Sequence, residues 1–113
     1  MSSPLRRRPV RALLLVIALL AAFGTATALA ASPTVKVEDN FYSAKNVSIS
    51  RGSSVNWKWT GSIYHDVKVR SGPTKFSSPR QYKGSFSHRF TARGTYKLYC
   101  SLHPDMKMTV TVR

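Results

Sequence analysis

Acid and thiol are scarce in this chain: its 113 residues hold four Asp and Glu against 18 Lys and Arg, and one cysteine. A single thiol excludes an intramolecular disulfide framework, on which exported domains of this size usually lean. A lone thiol in an oxidising compartment oxidises or cross-links unless something sequesters it, and a bound metal does so. Internal repeats, low-complexity tracts and long linkers are missing after Ala31. No segment there carries a helical period, which argues against an α/β enzyme fold.

One long apolar run is present. Arg6, Arg7, Arg8 and Arg11 precede the apolar stretch 12–23, and Ala28-Leu29-Ala30 offers a cleavage site before Ala31. That pattern predicts a signal peptide over residues 1–30, helical until it is removed, and an exported domain over 31–113. The competing reading is an uncleaved membrane anchor, because 12–31 is about long enough to span a bilayer. The absence of a second cysteine near the run excludes a lipoprotein anchor. Without the four leader arginines, 14 Lys and Arg face Glu38, Asp39, Asp66 and Asp105, a formal surplus of ten. Such a surplus steers a protein toward acidic partners or anionic surfaces at rates that fall with salt, although it also serves plain solubility.

The rest of the chain alternates with period two. Val35 and Val37 oppose Lys36 and Glu38; Val47 and Ile49 oppose Ser48 and Ser50; Val55, Trp57 and Trp59 oppose Asn56 and Lys58. His65, Val67 and Val69 then share a face, followed by Phe86, His88 and Phe90, by Tyr96, Leu98 and Cys100, and by a last strand from Lys107 to Val112. Arg51-Gly52-Ser53, Thr60-Gly61-Ser62 and Ala92-Arg93-Gly94 read as turns, and 71–84, with Gly72, Pro73, Pro79 and Gly84, as a long irregular connection. Seven short strands at this spacing predict an all-β fold, a Greek-key sandwich or barrel. A hairpin about Ala92-Arg93 would lay His88 opposite Lys97, well short of Cys100, which makes His88 a core or rim histidine.

The chemistry concentrates in Cys100-Ser-Leu-His103-Pro-Asp-Met106, just before the last strand. A thiolate, an imidazole and a thioether fall together, and a second imidazole, His65, stands on an inward strand face 35 residues upstream. Alone, His65 reads as a core histidine and Met106 as a core filler. Together with Cys100 and His103 they make two His, one Cys and a weak axial Met, the set that selects copper in both of its oxidation states. Asp66 follows the first His and Ser101 follows the Cys, which predicts a hydrogen bond tying the two loops. Pro104 stiffens the loop after His103.

The segment Gly94-Thr-Tyr-Lys-Leu-Tyr-Cys-Ser-Leu-His-Pro-Asp-Met106 resembles the plastocyanin/amicyanin branch of the cupredoxins. Phe41 through Trp57, with Val47, Ile49, Gly52 and Val55, is similar to that family's N-terminal strands. The likeness spans 35–112 and implies an eight-strand Greek-key barrel with one type 1 (blue) copper ion on His65, Cys100, His103 and Met106. The chain departs from the family pattern at Asp66, where Asn is usual, at Ala44, a frequent Pro position, and at Met108, where Gly is usual. Met108 is thereby a rival axial ligand, although its spacing fits the final strand.

The function these features imply is an exported, periplasmic or extracellular, monomeric carrier of single electrons that cycles Cu(II) and Cu(I). The alternative is copper capture or delivery by the same ligands. An enzyme is not expected, because copper oxidases and nitrite reductases need a second copper site with further histidines, and only His88 is left over. Leu102 and Pro104 around His103 would form the docking rim, with Lys75, Arg80, Lys83 and Lys107 guiding redox partners that carry acidic docking surfaces. Nucleic acid is not an expected partner, since Trp57, Trp59, Phe86 and Phe90 alternate inward as core.

Overall fold

The computed structural model describes residues 32–113, so the expected signal peptide, 1–30, lies outside the described residues. Eight strands form: β1 (Thr34–Glu38), β2 (Phe41–Tyr42), β3 (Asn46–Ile49), β4 (Ser54–Trp59), β5 (Lys68–Ser71), β6 (Ser85–Arg89), β7 (Gly94–Tyr99) and β8 (Lys107–Val112). They make two four-stranded sheets, in the orders β2-β1-β4-β6 and β3-β8-β7-β5. The parallel pairs β1–β4 and β3–β8 arise because the chain crosses from one sheet to the other between them. The architecture is the expected all-β, cupredoxin-like sandwich.

Alternation decides which face goes inward. Val35 and Val37 of β1, Val55, Trp57 and Trp59 of β4, Tyr96 and Leu98 of β7, and Met108, Val110 and Val112 of β8 are all buried. Trp57 sits at the centre, with its ring near Phe76, Phe86 and Phe90. Its indole N–H donates to Met108 Sδ at 3.3 Å. That bond places the Met108 sulfur within the aromatic core and removes it as a rival ligand.

The turn between β1 and β2 uses Asn40 at φ 101°, a left-handed conformation that Asn tolerates better than most residues. It thereby leaves Asp39 at one end of the sandwich. Gly94 opens β7 at φ 143°, and a Cβ there would meet Pro73 Cγ at 2.6 Å, so glycine meets both a backbone and a packing need.

Three details differ from the sequence reading. The two-residue β2 has no alternating pattern to betray it, so seven strands were expected without it. β6 pairs with β4, with His88 opposite Val55, while β7 belongs to the other sheet, so there is no hairpin about Ala92-Arg93. His88 instead stacks on Phe76, ring centroids 3.8 Å apart, and burial lowers its pKa. Finally, β5 begins at Lys68, and His65, Asp66 and Val67 before it are buried in succession. Period two fails there because the segment is covered on both sides at the mouth of the sandwich.

Replacing Trp57 with Ala removes the ring that joins both sheets and strands the core around a cavity. Chemical denaturation is expected to show a loss of about 3–5 kcal/mol, whereas Lys58→Ala on the exposed side of the same strand should change stability by about 0.5 kcal/mol or less.

Candidate metal centre

The stretch before β5, the end of β7 and the loop that follows it meet where β7 stops. Cys100 follows β7 with no exposed surface. Its backbone N–H donates to the Met106 carbonyl at 3.0 Å, and the Met106 N–H donates to the His103 carbonyl at 2.9 Å. These two bonds close the loop 100–106 into a fixed turn before β8. Met106 is buried at its far end.

His65 arrives from the opposite side on the stretch before β5. A two-way backbone pairing with Gln81 holds it, at 3.0 and 3.1 Å, and its carbonyl accepts the Trp59 indole N–H at 3.2 Å. The imidazole is fully buried, and its Nδ1 lies 3.9 Å from Cys100 Sγ. His103 approaches from the loop, with Nδ1 3.8 Å from the same sulfur. Among the described residues, His65, Cys100 and His103 are a group whose donor atoms all lie within 4.8 Å of one another.

These separations test whether one metal ion suits the group. A thiolate and an imidazole at metal-bond lengths of about 2.3 and 2.0 Å, set about 120° apart, stand about 3.7 Å from each other. The two sulfur–nitrogen distances fall close to that value, so the three donors fit one ion with little movement. Two imidazoles, one thiolate and a thioether residue close by in sequence suit copper better than zinc, whose protein sites use no thioether.

The residue that sequence reasoning missed is Asp39. His65 Nε2–H donates to Asp39 Oδ1 at 3.0 Å, since an ionised carboxylate can only accept; in the neutral ring the proton therefore sits on Nε2 and the Nδ1 lone pair faces the sulfur. Asp39 also accepts the Ser62 N–H at 3.0 Å, the Ser62 hydroxyl at 3.0 Å and the Ile63 N–H at 3.3 Å. The His65 contact, followed by the Ser62 N–H, holds its carboxyl well below the usual carboxylate range. Gly61 permits the approach, because a Cβ there would overlap the Asp39 carboxylate. Separated from His65 by 26 residues and followed by Asn40, Asp39 reads in the sequence only as a turn residue.

The expected loop tie is present. Asp66 Oδ1 accepts the Ser101 N–H at 2.7 Å, Oδ2 accepts the Ser101 hydroxyl, and Arg80 Nε lies 3.7 Å from Oδ2. Tyr42 donates to the Asp66 carbonyl at 2.7 Å; burial above all, then the negative charges of Cys100 and Asp66, pushes its phenol far above its ordinary value, so it stays a donor. Outside this shell, Leu102, His103, Pro104, Asp105, Met106 and Asn40 line a shallow cavity of about 380 Å³.

The family model of copper-binding proteins of the plastocyanin/azurin family matches residues 30–113. Amicyanin-alpha of Methylorubrum extorquens is 34% identical over 111 residues, which span 84% of this chain and 93% of that protein. Among solved structures, a purple cupredoxin from Nitrosopumilus maritimus superposes with a TM-score of 0.64 at 30% identity, over 72% of this chain and 99% of that one. A reduced amicyanin variant gives 0.66 at 26% identity, over 73% and 82%.

Asp39 yields a direct test. In long-range 15N–1H spectra of the metal-free protein, His65 is expected as the Nε2–H tautomer; Asp39→Ala should release that preference and Asp39→Asn, whose side-chain oxygen still accepts, should keep it. A wild-type His65 protonated on Nδ1 alone would contradict the geometry. Competition with a chelator should show Asp39→Ala weakening metal affinity by about 10- to 100-fold.

Proposed function

The chain belongs to the plastocyanin/azurin family of copper-binding proteins, and from that premise we propose that it carries single electrons outside the cytoplasm, with one copper ion held by His65, Cys100, His103 and Met106. The observation that carries this reading is the meeting of two Nδ1 atoms on one buried sulfur, 3.9 and 3.8 Å away. Bound there, copper supplies a Cu(II)/Cu(I) couple whose potential depends on the axial ligand and on the surroundings of the thiolate.

The protein's part is to keep the donors still. His65 is held at its backbone by Gln81 and Trp59 and at its ring by Asp39; Cys100 and His103 are held by the bonds that close their loop. Donors that do not move between oxidation states leave little reorganisation to slow transfer. Burial of Cys100 and His65 excludes water from the sulfur, while the half-exposed His103 reaches the surface among Leu102 and Pro104. That apolar mouth is the exit for the electron, and the basic surplus guides acidic redox partners to it.

A carrier fits better than an enzyme. Of three histidines two serve the cluster, and His88 is stacked on Phe76, which leaves no imidazoles for a second copper site. The leader 1–30 would deliver the domain 31–113 to the periplasm or the exterior, where it acts as a monomer. Among the described residues no helix is long and apolar enough to cross a membrane.

Voltammetry of the copper-loaded protein tests the carrier reading: a reversible one-electron couple with the metal retained is expected, and loss of copper on reduction would make this a delivery protein instead. Cys100→Ala should abolish the intense visible thiolate-to-copper band, and survival of that band would refute the ligand set. Met106→Leu should keep copper and raise the potential, by about 59 mV for each tenfold gain in preference for Cu(I).

A further inference from the structure

The outer face of the sheet β3-β8-β7-β5 carries a concentration of charge that the metal site does not use. Lys45 just before β3, Lys107 on β8, Lys97 on β7 and Arg70 on β5 line one cavity of about 440 Å³. The register gathers them about one row across all four strands, in which Asn46 is opposite Thr109, Thr109 opposite Lys97, and Lys97 opposite Ser71: Lys97 stands in the row, Lys45 and Arg70 directly precede its two end members, and Lys107 lies two residues before Thr109. Four exposed cations around one hollow repel one another, and the ion pairs found among the described residues, His65–Asp39 and Arg80–Asp66, involve none of them. Neutral neighbours steady two of them instead: Lys97 Nζ donates to Thr109 Oγ1 at 3.3 Å, and the Arg70 guanidinium lies 4.4 Å from the centre of the Tyr99 ring. Asp105 alone among the lining residues is acidic.

Asp105 also lines the apolar mouth at His103, and Lys107 directly follows Met106, so hollow and mouth form one continuous surface. From this charge and continuity we propose that the hollow receives a carboxylate-rich segment of a partner protein and forms the charged half of the docking surface. The proposal deepens the electron-carrier reading by naming the face on which the acidic partner sits. Its location differs from the one expected from the sequence, where Lys75, Arg80 and Lys83 shared the task with Lys107; Arg80 lies instead beside Asp66 at 3.7 Å. A partner's carboxylates would relieve the repulsion among the cations, and docking there would weaken as salt rises.

The test is an NMR titration of the purified protein with an octaglutamate peptide at low salt. Shifts are expected at Lys45, Arg70, Lys97, Lys107 and Thr109, and the double variant Lys97→Glu with Lys107→Glu should lose about tenfold or more in affinity. Lys36→Glu with Lys58→Glu, on the other sheet, makes the same change in net charge and should leave affinity within about twofold. Equal losses in the two double variants, or shifts spread over both sheets, would overturn the proposal in favour of a general charge effect. Saturation of the same residues by inorganic phosphate, with no added response to the peptide, would overturn it in favour of a small-anion site. Since no electron moves in this measurement, its failure is distinguishable from failure of the redox reading, which voltammetry reports separately.

Discussion

The buried Asp66 carboxylate joins the two halves of the metal centre. One oxygen takes the Ser101 N–H and the other the Ser101 hydroxyl, while the residue's own carbonyl takes the Tyr42 phenol. A charge removed from water is costly unless its lone pairs are filled, and here both oxygens are engaged, with Arg80 nearby as a cation. The stretch that carries His65 is therefore locked to the stretch that carries Cys100, although 35 residues separate them. The β5–β7 pairing of Lys68 with Tyr99 brings the two stretches side by side, and the Asp66 lock carries that relation on past the strand ends to the ligands themselves.

A second lock acts from outside. Asp39 stands at a turn whose left-handed Asn40 turns the chain back, and its carboxylate binds both the His65 ring and the loop at Ser62 and Ile63. The two carboxylates divide the work: Asp66 sets the distance between loops, and Asp39 sets which nitrogen of His65 faces inward. Together they use half of the chain's four acidic residues, in a protein that otherwise carries a large basic excess. Scarce acid is thus concentrated where hydrogen bonds to the ligand frame need it.

Much of this is legible in the sequence. Period two in β1, β4, β7 and β8 fixed the inward faces, because each of those strands has one wet side and one packed side. Cys100, His103 and Met106 were legible because they are close in sequence, and the Asp66–Ser101 tie because each member directly follows a site residue. The failures share a cause. Around His65 both sides of the backbone are covered, so alternation stops carrying information, and the expected strand starts later, at Lys68. The pairing of His88 with Val55 instead of Lys97, like the contact of Asp39 with His65, depends on which sheet a segment joins. No local pattern encodes that choice.

On the electron-carrier and docking reading proposed above, the division of the surface follows from the same economy. An apolar mouth at Leu102 and Pro104 favours close, dry approach to His103, which short-range electron transfer needs, but it exerts no force at a distance. Charge acts over about 10 Å at moderate salt, and tolerates imprecise docking. Cations at Lys45, Lys107, Lys97 and Arg70, beside the mouth instead of around it, would let attraction bring a partner in without putting desolvated charge between it and His103. A mouth ringed by lysines would bind more tightly and release more slowly, the wrong compromise for a protein that must part from each partner after one electron. On the proposed reading, basic excess and apolar exit are therefore two parts of one docking surface, joined by the short link from Met106 to Lys107.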